Sequence, residues 1–214
     1  MTNRTQFWKR TLDKLGIQAE GATALAENET EFEAPNWLPG AKMNIVNSCL
    51  QANPTATAVV FQEPGGEIVR KSYGELKADV AKVANSLQKI DANQNSRIAI
   101  DMIMTYDAVC IYLGVVSIGA AVIGFADSFA PEEIQTRLRI GEATHIVTQD
   151  VVVRGGKTLP MYEKVLKADA PQAIVLAANG ETLQVFLRDG DIAWHDFNAG
   201  SSSEFTPVLC EPSS

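Results

Sequence analysis

The sequence predicts an α/β protein: a mainly parallel sheet with helices on both faces, accompanied by β-hairpins. Three observations lead there. Between Arg97 and Leu176, apolar runs of strand length alternate with segments of helix length, the β-α-β rhythm that builds parallel sheets. The strand runs, such as Ile98-Ala99-Ile100 and Ala173-Ile174-Val175-Leu176, are almost continuously apolar, so both faces are to be covered. Finally, 46% hydrophobic and 21% charged residues over 214 positions is an ordinary globular composition. A chain of that length buries roughly 70% of its unfolded surface, enough for a real core.

The elements follow in order. Phe7 to Leu15 reads as a short amphipathic helix and Glu20 to Glu33 as an acidic arm, so residues 1–36 look like an appendage on a domain. The packed part begins near Trp37. Thr57 to Gln62 and Glu67 to Lys71 are β-rich runs joined by Glu63-Pro64-Gly65-Gly66, which is hairpin punctuation. Ser72-Tyr73-Gly74-Glu75 forms a capping box. Leu76, Val80, Val83 and Leu87 then lay one apolar stripe along the helix it opens.

Strand Arg97–Met104, helix Asp107–Ile118, strand Ala121–Phe125 and helix Pro131–Ile140 come next. Pro131 suits the first helical turn, Glu132 and Glu133 complement its positive end, and Gly141 suits the cap. His145–Gln149 reads as a strand, Leu159–Ala168 as a helix and Ala173–Leu176 as a strand. Gln184–Arg188 and Ile192–Phe197 flank Asp189-Gly190 as a further hairpin. Gly200-Ser201-Ser202-Ser203 reads as linker.

Ala108 to Ala126 carries no charge over 19 residues, near the length needed to cross a bilayer. Gly114, Ser117, Gly119 and Gly124 interrupt it, and Asp107 and Asp127 close it without a basic flank or aromatic belt. A buried helix turning at Gly119 into a buried strand is the better reading. With 18 Lys and Arg against 26 Asp and Glu, the net charge of -8 repels nucleic acid and anionic membranes. Cys49, Cys110 and Cys210 are odd in number and far apart, which fits neither a disulfide framework nor a zinc site. No secretory signal follows the amino terminus, so a cytoplasmic protein is expected.

In an open parallel sheet, ligands bind beyond the carboxyl ends of the strands, which directs attention to the segments after Met104, Phe125 and Gln149. The third contains Arg154-Gly155-Gly156-Lys157. Its bare glycine amides could approach a phosphate while Arg154 offers a forked donor. Taken alone, the same four residues also describe a surface turn with two solvated charges. Neither G-x-x-x-x-G-K-[ST] nor G-x-G-x-x-G occurs. His145 and His195 have no nearby nucleophile in sequence, and Asp127-Ser128 suits a turn or cap. No catalytic residue and no metal ligand emerges.

Trp37-Leu38-Pro39-Gly40, continuing through Asn44 to Leu50, resembles the W-x-x-G-x-x-x-N-x-x-x-x-x-L opening of acetyl-CoA-synthetase-like enzymes in the adenylate-forming superfamily. Further matches follow collinearly. They are Ser72-Tyr73-Gly74-Glu75-Leu76, Arg97 to Met102, Ile118-Gly119-Ala120, Phe129-Ala130-Pro131-Glu132 and Arg154-Gly155-Gly156-Lys157. The resemblance covers about Trp37 to Phe197.

The resemblance implies an AMP-forming acyl-CoA synthetase. Such an enzyme joins a carboxylate to ATP, with magnesium, as an acyl-adenylate and then transfers the acyl group to CoA. It implies that 37–198 is an α/β subdomain of that fold and that 199–214 leads toward a downstream S-S-G-T-T-G-x-P-K loop that grips ATP. The chain alone is therefore expected to be an inactive amino-terminal piece, with no ligand bound. An arginine at the place of Arg154 meets the 3′-phosphate of CoA in acetyl-CoA synthetases, with a second basic residue at Lys157, so Arg154, Gly155, Gly156 and Lys157 are the candidate binding residues. The family's F-G-G-F loop corresponds to Ala126-Asp127-Ser128-Phe129, where both glycines are replaced. A free-standing, non-catalytic α/β binding or assembly domain is the alternative.

Overall fold

The computed structural model describes residues 4–21, 38, 40–62, 66–180 and 182–211. Trp37 and Pro39 of the opening motif, the acidic arm from residue 22 onward and Glu63-Pro64-Gly65 of the first hairpin turn lie outside them. Helix α1 (Arg4–Leu15) leads into β1 (Ala19–Glu20), which pairs antiparallel with β2 (Lys42–Met43). Gln51 Nε2 donates to the Leu15 carbonyl at 2.9 Å and ties the end of α1 to the body.

Asn44 explains its place in the opening motif. It caps α2 (Ile45–Cys49) by accepting from Val46 N–H at 3.0 Å, while its Nδ2 donates to the carbonyls of Val116 and Val208, each at 2.8 Å. One buried amide thus joins three chain segments that are distant in sequence. β3 (Thr57–Gln62) and β4 (Ile68–Ser72) form the expected antiparallel hairpin. The capping box that starts α3 (Tyr73–Lys89) is made in both directions: Ser72 N–H donates to Glu75 Oε2 at 2.8 Å, and Glu75 N–H donates to Ser72 Oγ at 3.2 Å.

The remaining elements are β5 (Arg97–Asp101), α4 (Tyr106–Ser117), β6 (Ala121–Gly124), α5 (Pro131–Ile140), β7 (His145–Gln149), the hairpin of β8 (Val151–Arg154) and β9 (Lys157–Pro160), α6 (Met161–Lys167), β10 (Ala173–Leu176), β11 (Ile192–Ala193) and α7 (Trp194–Asn198). Five strands make one parallel sheet in the order β11-β10-β7-β5-β6. Both faces are covered. Ile98, Ile100, Val147 and Ile174 pack with Leu76, Val80, Val83 and Leu87 of α3 and with α4, whereas Ala99, Ile146 and Val175 pack with Ile134 and Leu138 of α5 and Tyr162 and Val165 of α6. Successive residues of one strand enter opposite cores, which is why the strands read as continuous apolar runs. Each large side chain so buried contributes roughly 1.5 to 3 kcal/mol.

The uncharged stretch Ala108–Ala126 is the packed α4 turning into β6. Among the described residues, no helix is long and apolar enough to cross a membrane. Gly119 makes the turn with φ 77°, and an added Cβ would meet Cys210 Sγ at 2.8 Å. Gly114 lets α4 lie against α3, where a Cβ would meet Val83 Cγ1 at 2.6 Å. Gly141 ends α5 as expected, but its φ is -78° and the left-handed residue is Glu142 at φ 49°. Glycine at 141 answers to space: a Cβ there would meet Ile123 Cδ1 at 2.5 Å.

Several expectations are corrected. β6 is the edge of the sheet, with Ala121 and Gly124 exposed, so it is half covered and not buried. β5 stops at Asp101, short of Met104, which is 86% exposed. The helix read from Leu159 begins at Met161, because Leu159 pairs with Val152 in a hairpin. Gln184–Arg188 and Ile192–Phe197 form no hairpin: Ile192–Ala193 joins β10 in parallel and α7 follows. Tertiary bonds override that local turn signal. Asp191 accepts from Ala173 N–H at 2.8 Å, Tyr162 Oη at 2.7 Å and Arg188 at 3.0 Å, which fixes the chain beside β10. Gly200-Ser201-Ser202-Ser203 lies along α3, where Asn85 Nδ2 donates to the carbonyls of Ser202 and Glu204 and Lys89 Nζ to that of Ala199.

Candidate functional site

The carboxyl ends of β5, β6 and β7 bring together Asp101, the turn Ala126–Phe129 and the β8–β9 hairpin. Arg154 and Lys157 stand opposite each other in the hairpin register, with Gly155 (φ 58°) and Gly156 (φ 74°) as its two-residue turn. Both turn positions are left-handed, as a type I′ hairpin demands, and this accounts for two successive glycines. Nothing lies within 4 Å of a Cβ built on either glycine, so their backbone is open to a ligand. The pairing sets two cations side by side at the hairpin end, where like charges directly opposite are destabilising. An anion placed between them would relieve that.

Arg154 is paired with Asp127 across the site. Asp127 lies in a turn closed by the Phe129 N–H to Ala126 carbonyl bond at 3.0 Å. Lys164, projecting from α6, clamps this turn by donating to the Asp127 carbonyl at 2.7 Å and the Phe129 carbonyl at 3.2 Å. The same Nζ lies 3.9 Å from Oδ2 of Asp101 at the end of β5. Asp101 is fully buried and neither carboxylate oxygen has a hydrogen-bond partner. Burial pushes its carboxyl up to about 6; Lys164 opposes the rise and Asp127 adds to it.

Asp150, immediately after β7, is also fully buried, but its bonds are made. Its carboxylate accepts from the N–H groups of Val151 at 2.6 Å, Ala178 at 2.8 Å and Gln184 at 2.9 Å. It is therefore a structural hub that orients the hairpin carrying Arg154. Sequence reading did not single out Asp101, Lys164 or Asp150. A detectable signal existed for Asp101, a charge ending the apolar run Ile98-Ala99-Ile100 at the ligand-facing edge.

His145 sits beside Thr144 Oγ1 at 3.0 Å with its pKa lowered by burial, and His195 is largely exposed next to Asp196. The Thr144 hydroxyl already accepts from Arg97 N–H at 3.2 Å and donates to the Arg97 carbonyl at 3.1 Å, so it serves the sheet. Cys49, Cys110 and Cys210 are free thiols, and burial pushes that of Cys110 up to about 12, so it is chemically quiet. Among the described residues, no group of three or more His, Cys, Asp or Glu side chains could hold a metal ion.

Comparison with known proteins bears on the family and the fold. The profile described as AMP-binding enzyme matches residues 47–201. The probable acyl-activating enzyme 17, peroxisomal, of Arabidopsis thaliana is 35% identical over 92% of this chain and 29% of its own length. Hexanoyl-CoA synthase of Cannabis sativa is 39% identical over 91% of this chain and 29% of its own. The chain thus spans under a third of these curated relatives. The solved acetoacetyl-CoA synthetase from Streptomyces lividans superposes with a TM-score of 0.84 at 20% identity, covering 97% of this chain and 32% of that one, which establishes the fold.

Proposed function

The chain belongs to the AMP-binding enzyme family, and on that premise we propose that it is part of an acyl-CoA synthetase that activates a carboxylate with ATP and passes the acyl group to CoA. In this reading residues 37–198 are the α/β subdomain, 1–36 an amino-terminal helix and acidic arm, and 199–214 the lead toward the ATP-binding loop. Arg154 and Lys157, with the open amides of Gly155 and Gly156, take the 3′-phosphate of CoA. The observation that carries the assignment is the pairing of Arg154 with Lys157 on an unobstructed glycine turn at the carboxyl edge of the sheet. Magnesium and ATP are assigned no residue in this chain. Its free thiols suit a reducing compartment, in keeping with the cytoplasmic expectation.

Two measurements test this. The 214-residue chain, whose sequence contains no S-S-G-T-T-G-x-P-K loop, should not exchange pyrophosphate into ATP; exchange by the pure chain contradicts the division of labour. In the complete gene product, Arg154→Ala should raise the Michaelis constant for CoA about tenfold, the value of a charge-assisted contact. Pyrophosphate exchange should stay nearly unchanged, and dephospho-CoA should be used equally by both forms. Equal loss of exchange and thioester formation removes Arg154 from the CoA site.

A further inference from the structure

We propose that Asp127 is a built-in competitor for the Arg154 anion site: its carboxylate occupies the guanidinium in the unliganded chain, so an incoming phosphate must displace it. The proposal rests on Arg154 being the phosphate-binding residue and adds a specificity-determining group to that site. Three observations carry it. Arg154 is paired with Asp127, whereas Lys157, its neighbour across the hairpin, lies beyond the open turn. Asp127 is presented by a turn clamped at two carbonyls by Lys164, and Lys164 is itself drawn toward the buried Asp101. The carboxylate is therefore held in place from behind, and the arginine is the partner free to move: its side chain is 59% exposed against 20% for Asp127.

The electrostatics favour the same arrangement. Two cations opposite each other on a hairpin repel, and Asp127 supplies the negative charge that a phosphate would otherwise supply. Because the pair is part-exposed, its hold is modest, comparable to surface ion pairs that change an equilibrium by about two- to fivefold. That strength suits a discriminator. A dianionic phosphate exceeds the single charge of Asp127 and takes both Arg154 and Lys157, whereas a monoanion gains little by exchanging with it.

The test uses the 214-residue chain with adenosine 3′,5′-bisphosphate as the probe, following the Gly155 and Gly156 amides by NMR. Asp127→Asn should tighten binding about two- to fivefold over the wild type. The gain should vanish in the Asp127→Asn/Arg154→Ala double variant, because the competitor has no site left to block. If Arg154→Ala weakens binding but Asp127→Asn leaves it unchanged, the phosphate site stands and the competitor role falls. A gain from Asp127→Asn that persists without Arg154 also overturns it, since bulk charge then explains the effect. If neither Arg154→Ala nor Lys157→Ala alters the titration, or if no form shifts these amides, the phosphate site itself is wrong and the competitor falls with it.

Discussion

Asp101 Oδ2 lies 3.9 Å from Lys164 Nζ, yet no hydrogen bond reaches either oxygen of this fully buried carboxylate. Burial is the larger influence: the carboxyl titrates near 6, above the usual 3.8. A group that holds its proton more tightly when folded stabilises the fold at low pH, and that contribution is lost as pH rises through the folded pKa. Stability should therefore fall between about pH 4 and 6 by an amount that Asp101→Asn abolishes. The difference between variant and wild type should grow in favour of the variant across that window, by up to about 3 kcal/mol, and then level off. Urea denaturation of both chains from pH 4 to 7 measures it; a difference that does not change with pH refutes the placement.

Gly114→Ala is expected to destabilise, although alanine is the better helix former by about 1 kcal/mol. The new Cβ would stand 2.6 Å from Val83 Cγ1 where α4 meets α3, and overpacking of this kind costs about 1 to 3 kcal/mol. Pairing it with Val83→Ala should recover part of the loss, a non-additivity expected of residues in contact. Thermal melts of the two single variants and the double variant decide the point.

Asp150→Asn should cost about 2 to 3 kcal/mol, because an amide keeps the shape of the carboxylate but replaces one acceptor oxygen with an NH2 donor that faces a backbone N–H. The donors left short are among Val151, Ala178 and Gln184. Hydrogen exchange should accelerate first at those amides. Uniform acceleration throughout the sheet would point to general destabilisation in place of a hub.

The sequence alone determined the local choices: the Ser72 capping box, the α3 stripe, Pro131 opening α5, four of the five strands of the sheet and the hairpin cations. Each rests on contacts within a few residues or on a periodicity imposed by one apolar face, so the pattern is complete in the string of letters. Tertiary structure decided what required distant partners. Ile192–Ala193 became a parallel strand because Asp191 is held by Tyr162 and Ala173, and Leu159 became strand because Val152 was available across a glycine turn. Asp101, Lys164 and Asp127 lie in separate segments, and their convergence at the carboxyl edge of the sheet depends on the order β7-β5-β6 and the return of α6. The raised pKa of Asp101 and the cationic partner of Asp127 come from residues that the fold brings from distant parts of the chain, and spacing along the chain carries no record of them.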